Sequence, residues 1–86
     1  MPVYKAIVSK EDEAKLKELF NLAKKKAYLS FDQEPAQKIG KKHQSIFMVH
    51  VTDRLSAKFE KEIKKTGLVR QLLKQKEDGT FTLAYY

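Results

Sequence analysis

No cysteine occurs in the chain. That excludes disulfides, thiolate catalysis and cysteine-based zinc or iron–sulfur sites, and points to a reducing compartment, the cytoplasm. Glycine is scarce too, with three residues, so no glycine-rich phosphate loop can be built; Lys41-Lys42 after Gly40 lacks the further glycines and the Ser or Thr such a loop needs. No apolar run approaches the roughly 20 residues that span a bilayer. The opening MPVYKAIV lacks the basic, apolar and small-residue zones of an export signal, so none is expected. Arginine, the usual carrier of bidentate phosphate and base contacts, is limited to Arg54 and Arg70.

Lysine is abundant instead. Eighteen basic residues face 11 acidic ones, for a net charge of +7 on 86 residues. Such a balance attracts polyanions. Because it is lysine-borne, it favours diffuse attraction over sharp base reading; the alternative is a lysine-rich solvated surface. The length allows one domain, residues 1–86, with a single thin core.

Val3 to Val8 predicts a strand, with Tyr4, Ala6 and Val8 on one side and Val3, Lys5 and Ile7 on the other. Ser9 and Asp12 have capping-box spacing, and Leu16, Leu19, Phe20, Ala23 and Ala27 form an apolar stripe. Together they predict a helix over residues 10–26. Tyr28 to Phe31 is a short second strand or the exit from that helix. Residues 32–44, with Pro35, Gly40 and few large apolar side chains, read as a basic loop of the kind that is flexible or functional. Ile46 to Val51 is apolar on both faces and predicts a central strand. Leu55, Phe59 and Ile63 step by four along a second helix, which Thr52 or Asp53 caps and Gly67 ends. Glu77-Asp78-Gly79 reads as a hairpin turn between strands over 69–76 and 80–85. The sum is an α+β fold: a ferredoxin-like β-α-β-β-α-β order with an additional C-terminal hairpin strand, an antiparallel sheet and two helices on one face.

The segment from Ile46 through Leu73, a strand, a capped helix and then Gly67-Leu68-Val69-Arg70, is similar to the second half of the family of the sixth protein of the bacterial small ribosomal subunit. The resemblance implies the ferredoxin-like fold and RNA contact beside a protein partner. The arginine-rich middle strand of that family has no counterpart in this sequence.

Catalytic motifs are lacking: there is no nucleophile elbow and no HExxH. A His43 or His50 general base beside Asp32 or Asp53 is the one enzymatic reading, and it ranks last. The scattered histidines and carboxylates have no metal-ligand spacing. No metal, cofactor or catalytic residue is expected, and the chain reads as a non-enzymatic binding protein. The leading expectation is a small basic accessory or regulatory protein that contacts RNA or DNA, alone or in a nucleoprotein complex. The contact would be made by Lys24, Lys25, Lys26, Lys38, Lys41, Lys42 and His43. A secondary basic patch comprises Lys58, Lys61, Lys65 and Arg70. The rival expectation is a protein-interaction module or inhibitor that homodimerises or docks on a partner protein. Its interface would be an exposed sheet face bearing Tyr4, Ile46, Met48, His50, Tyr85 and Tyr86, since Tyr and Met are enriched at interface cores.

Overall fold

The computed structural model describes the backbone of residues 2–26, 28–39 and 42–85, and the side chains of these except 35–39, 42 and 85. The described residues form β1 (Val3–Ser9), α1 (Glu13–Lys25), β2 (Leu29–Ile39), β3 (Lys42–Val51), α2 (Ser56–Thr66), β4 (Val69–Gln75) and β5 (Phe81–Tyr85). A 3-10 turn, Asp53–Leu55, leads into α2. Every ladder is antiparallel, in the order β2-β3-β1-β4-β5. This is the ferredoxin-like α+β arrangement with a fifth strand supplied by the C-terminal hairpin. Among the described residues no helix is long and apolar enough to cross a membrane.

Side-chain alternation decides which face the helices cover. Tyr4, Ala6 and Val8 of β1, Phe47, Val49 and Val51 of β3, and Val69 and Leu72 of β4 are all buried in one cluster. Leu16 and Phe20 of α1 and Phe59 and Ile63 of α2 close the same cluster, so both helices lie on one face. Phe20 is its aromatic hub, with ring centroids 5.4 Å from Phe31, 5.5 Å from Phe47 and 6.4 Å from Phe59. Contacts of this kind are worth about 0.5–1.5 kcal/mol each beyond the area they bury. Leu19 of the predicted stripe stays exposed, as does Leu22, and Ala27 lies outside the described residues.

Two local expectations change. The helix begins at Glu13, because Ser9 Oγ donates to Asp12 Oδ2 at 3.1 Å and does not reach a backbone N–H. Residues 10–12 form a turn instead, closed by Asp12 N–H on the Ser9 carbonyl at 3.0 Å. Of the segment expected as a loop over 32–44, residues 32–39 are the far half of β2 and residues 42–44 the start of β3, and residues 40–41 lie outside the described residues. Pro35 escapes the usual ban on strand prolines because β2 is an edge strand and its register with β3 shifts between Glu34 and Gln37. The paired run of β2 and β3, from Leu29↔Val51 to Ile39↔Lys42, thus brings the backbone of Lys38 and Lys42 together at one end of the sheet.

In the second half the expected cap of α2 by Thr52 or Asp53 does not form: the 3-10 turn Asp53–Leu55 intervenes, Leu55 stands at the N-cap, and no side chain caps it, whereas the helix stop and the last turn form as expected. Gly67 ends α2 at φ 67°, a left-handed conformation that favours glycine. In the β4–β5 hairpin, Asp78 Oδ1 accepts from Thr80 N–H at 2.9 Å and from Thr80 Oγ1 at 2.6 Å. Those bonds hold the Asp78 carboxyl below its ordinary value.

Candidate nucleic-acid interface

The topology gives the sheet two unlike ends. At one end β1 finishes, β3 and β4 begin and the β2–β3 hairpin closes; the pairs Ser9↔Gln44, Val8↔Val69 and Lys38↔His43 fix this. The turn into α1 starts here, and α2 finishes here. At the opposite end α1 finishes and β2 begins.

Lys24, Lys25 and Lys26 lie at that opposite end, whereas Lys38 is near the far end of β2 and Lys42 begins β3 beside it, roughly 30 Å of strand from Leu29. The first expected basic group is therefore split. The ammonium of Lys24 stands 5.8 Å from the Phe31 ring centroid, over the edge of the core. The side chains of Lys38 and Lys42, and Lys41 entirely, lie outside the described residues. Lys58, Lys61 and Lys65 are exposed and share one face of α2 by their spacing. Lys58 also borders a small apolar notch of about 250 Å³ between Tyr28, Leu55 and Phe59.

Arg70 leaves the second expected group and joins His43. The β1–β4 register steps from Ile7↔Gln71 to Val8↔Val69, so Arg70 is the extra residue of a β-bulge. Bulges re-aim side chains. Arg70, His43 and Lys10, with Ser9 and Glu11, line one open cleft of about 590 Å³ at the hairpin end. Side chains from three separate chain segments, Lys10, His43 and Arg70, thus border one open concavity. Arg70, Lys10 and His43 are exposed, and among the described residues neither Arg70 nor Lys10 is in an ion pair. Among the described residues Glu11 is the one carboxylate of the lining. Lys64 and Lys65, in the last turn of α2, stand at the same end of the fold. Lys10 was absent from the expected groups. Only the pairing of Ser9 with the start of β3 places Lys10 beside His43, and no local pattern encodes that pairing.

The open sheet face is built differently. Register partners share a face, so Val3, Lys5 and Ile7 stand with Ile46, Met48 and His50, and beyond them with Leu73, Phe81 and Leu83. Tyr4 does not belong to this face. It is fully buried beneath the helices, as the alternation of β1 with Ala6 and Val8 requires. Ile46 is on the open face but only 6% exposed, flanked by its register partners Ile7 and Glu34. Met48 and His50 are half-buried, and the Tyr85 side chain and Tyr86 lie outside the described residues. Asp32 and Glu34 on β2 give the face an acidic border, since they pair with Met48 and Ile46. Its lysine, Lys5, is held 4.7 Å from the Phe81 ring centroid. A phosphate backbone would meet carboxylates along that border.

Among the described residues no group of three His, Cys, Asp or Glu side chains is placed to hold a metal ion. No family model matches the chain, and no curated protein or solved structure matches it either. The likeness of residues 46–73 to the ribosomal family thus gains no support beyond the shared fold.

Proposed function

We propose that this is a small, cytoplasmic, non-catalytic binding protein that contacts nucleic acid through the hairpin end of its sheet. The observation that carries the reading is the convergence of Lys10, His43 and Arg70 on one cleft, on a chain of net charge +7. Attraction over long range comes from the net charge; position comes from the cleft. Anisotropy titrations of labelled single-stranded RNA and DNA at two salt concentrations test it. Affinity falls with salt, each phosphate contact adding about 0.7 to the log–log slope for single strands. Binding that is undetectable at low salt, or indifferent to salt, overturns the reading.

A second reading concerns the open face, where half-buried Ile7, Met48, Leu73 and Phe81 adjoin Leu83, 42% exposed. Lys5, the register partner of both Met48 and Leu73, stands among them, and partly exposed apolar side chains grouped on an open sheet face favour a protein contact. Sedimentation equilibrium is the check: self-association at micromolar concentration supports it, and a monomer throughout assigns the face to another protein or to none.

A further inference from the structure

We infer that the outer edge of β5 pairs antiparallel with β5 of a second copy of this chain, joining two five-stranded sheets across a two-fold axis at Thr82. The inference is independent of the nucleic-acid reading. It goes beyond the open-face reading, because the contact is a strand edge.

The two edges of the sheet, β2 and β5, are built differently. An edge strand offers unpaired N–H and C=O groups to any strand that approaches, and charges or proline blunt it. β2 has both, in Asp32, Glu34, Pro35 and Lys38. β5 runs Phe81-Thr82-Leu83-Ala84-Tyr85 and has neither; it is the one described strand without a charged side chain.

Backbone direction fixes which groups are offered. Lys76 N–H donates to the Thr80 carbonyl at 2.7 Å, so Thr80 turns its backbone groups toward β4, and Thr82, two residues on, does the same. Phe81 and Leu83 turn theirs outward, where no described strand lies. An axis at Thr82 sets Phe81 against the partner's Leu83, and Leu83 against the partner's Phe81. Each of these pairs exchanges two N–H···O bonds, with Thr82 facing the partner's Thr82 in the close non-hydrogen-bonded pair between them. Apolar side chains then meet apolar ones and threonine meets threonine, the pairings that stabilise a ladder. Leu83, 42% exposed in one copy, becomes covered. The register shift between Leu72 and Leu73 leaves Ala84 without a partner on β4 and ends the regular run at Leu83, so the axis at Thr82 uses the whole of that run.

Charge selects the same place. Two copies that each carry +7 repel one another, and a self-contact needs a stretch free of like charges. The lysines on the strands behind β5 are engaged within their own chain: Lys74 lies 3.9 Å from Glu60 Oε2, and Lys5 lies 4.7 Å from the Phe81 ring centroid.

An edge this short buries less than the roughly 1,200 Å² of a stable interface, so the dimer is expected to be weak, half-formed at about 100 μM. Sedimentation equilibrium of the full chain measures it. Thr82→Lys sets like charges directly opposite each other and should weaken association by about tenfold or more, whereas the neutral Thr82→Val should not. Thr82 is exposed, so circular dichroism should report both variants folded. The chain has no cysteine, so Thr82→Cys adds a single thiol at the axis, where facing Cα atoms stand about 4.5 Å apart, within disulfide reach. Ala84→Cys, on the same edge, places the two Cα atoms roughly 13 Å apart. On oxidation, Thr82→Cys should form a reducible dimer and Ala84→Cys should not. A monomer at every concentration overturns the inference, and so does equal crosslinking of the two cysteine variants. A dimer indifferent to Thr82→Lys overturns it too and assigns association to the open face. Nucleic-acid binding stands or falls separately from all of these results.

Discussion

The Tyr4 hydroxyl donates to Glu60 Oε2 at 2.6 Å and lies 3.2 Å from Ser56 Oγ, so the first strand is tied to the second helix by a polar contact at the border of an apolar core. Lys74, the register partner of Tyr4 on β4, completes the group at 3.9 Å from Glu60. Tyr4→Phe keeps the ring contact with Phe59, at 4.9 Å between centroids, and removes only the hydroxyl. Hydrogen bonds to charged acceptors contribute about 1.5–3 kcal/mol, and the partial exposure of Glu60 argues for the lower part of that range. Urea denaturation should show a loss of about 1–2 kcal/mol. An unchanged midpoint would mean that water replaces the phenol at no cost.

The same contact sets a pH dependence. Burial, and then the hydrogen bond to the Glu60 carboxylate, push the Tyr4 phenol up to about 12 from its ordinary 10.0. The folded state therefore holds this proton more tightly than the unfolded chain. Its contribution is fully present below pH 10 and is lost as pH rises through 12. Stability should fall across that window more steeply in the natural protein than in Tyr4→Phe. Parallel curves would refute the linkage.

Ser45 is fully buried, and its hydroxyl has no partner among the described residues. It faces the helices, opposite Val8, in a position otherwise filled by aliphatic side chains. An unsatisfied buried hydroxyl costs about 1–3 kcal/mol, and alanine removes it with little loss of volume. Ser45→Ala should raise the thermal midpoint, by about 1 kcal/mol of stability. Destabilisation would reveal a partner for the hydroxyl.

The fold was legible where physics is local. Alternation in β1 and β3, the four-residue steps of Leu55, Phe59 and Ile63, Gly67 after α2 and Asp78-Gly79 in the last hairpin all announce their conformations within a few residues. The far half of β2 was hidden because Pro35 and the polar residues beside it carry no strand signature; they pair because β3 offers an edge and a register shift absorbs the proline. The cleft was hidden for a different reason. Lys10, His43 and Arg70 are distant in sequence, and two of them had been assigned to opposite basic groups. Only the antiparallel pairing of β1 with both β3 and β4 joins them, and only a one-residue bulge makes Arg70 the residue that arrives.

Splitting the lysines between two ends yields the sharpest test of which end binds. Lys24, Lys25 and Lys26 lie before β2, and Lys38 lies near its far end, roughly 30 Å of strand from Leu29. The Debye length is about 8 Å at physiological salt, so charges at the far end contribute almost nothing to a phosphate at the cleft. If the cleft is the contact, replacing Lys10 and Arg70 by Glu should remove the phosphate contact made there and flatten the salt slope by about 0.7 for a single strand. Replacing Lys24, Lys25 and Lys26 by Glu changes net charge more, yet should leave that slope within error. Lys24→Glu also withdraws the ammonium from Phe31, so this variant is expected to lose some stability without losing its salt slope. The comparison separates position from net charge: an effect that tracks only the number of charges removed would mean that no particular end of the sheet is the interface.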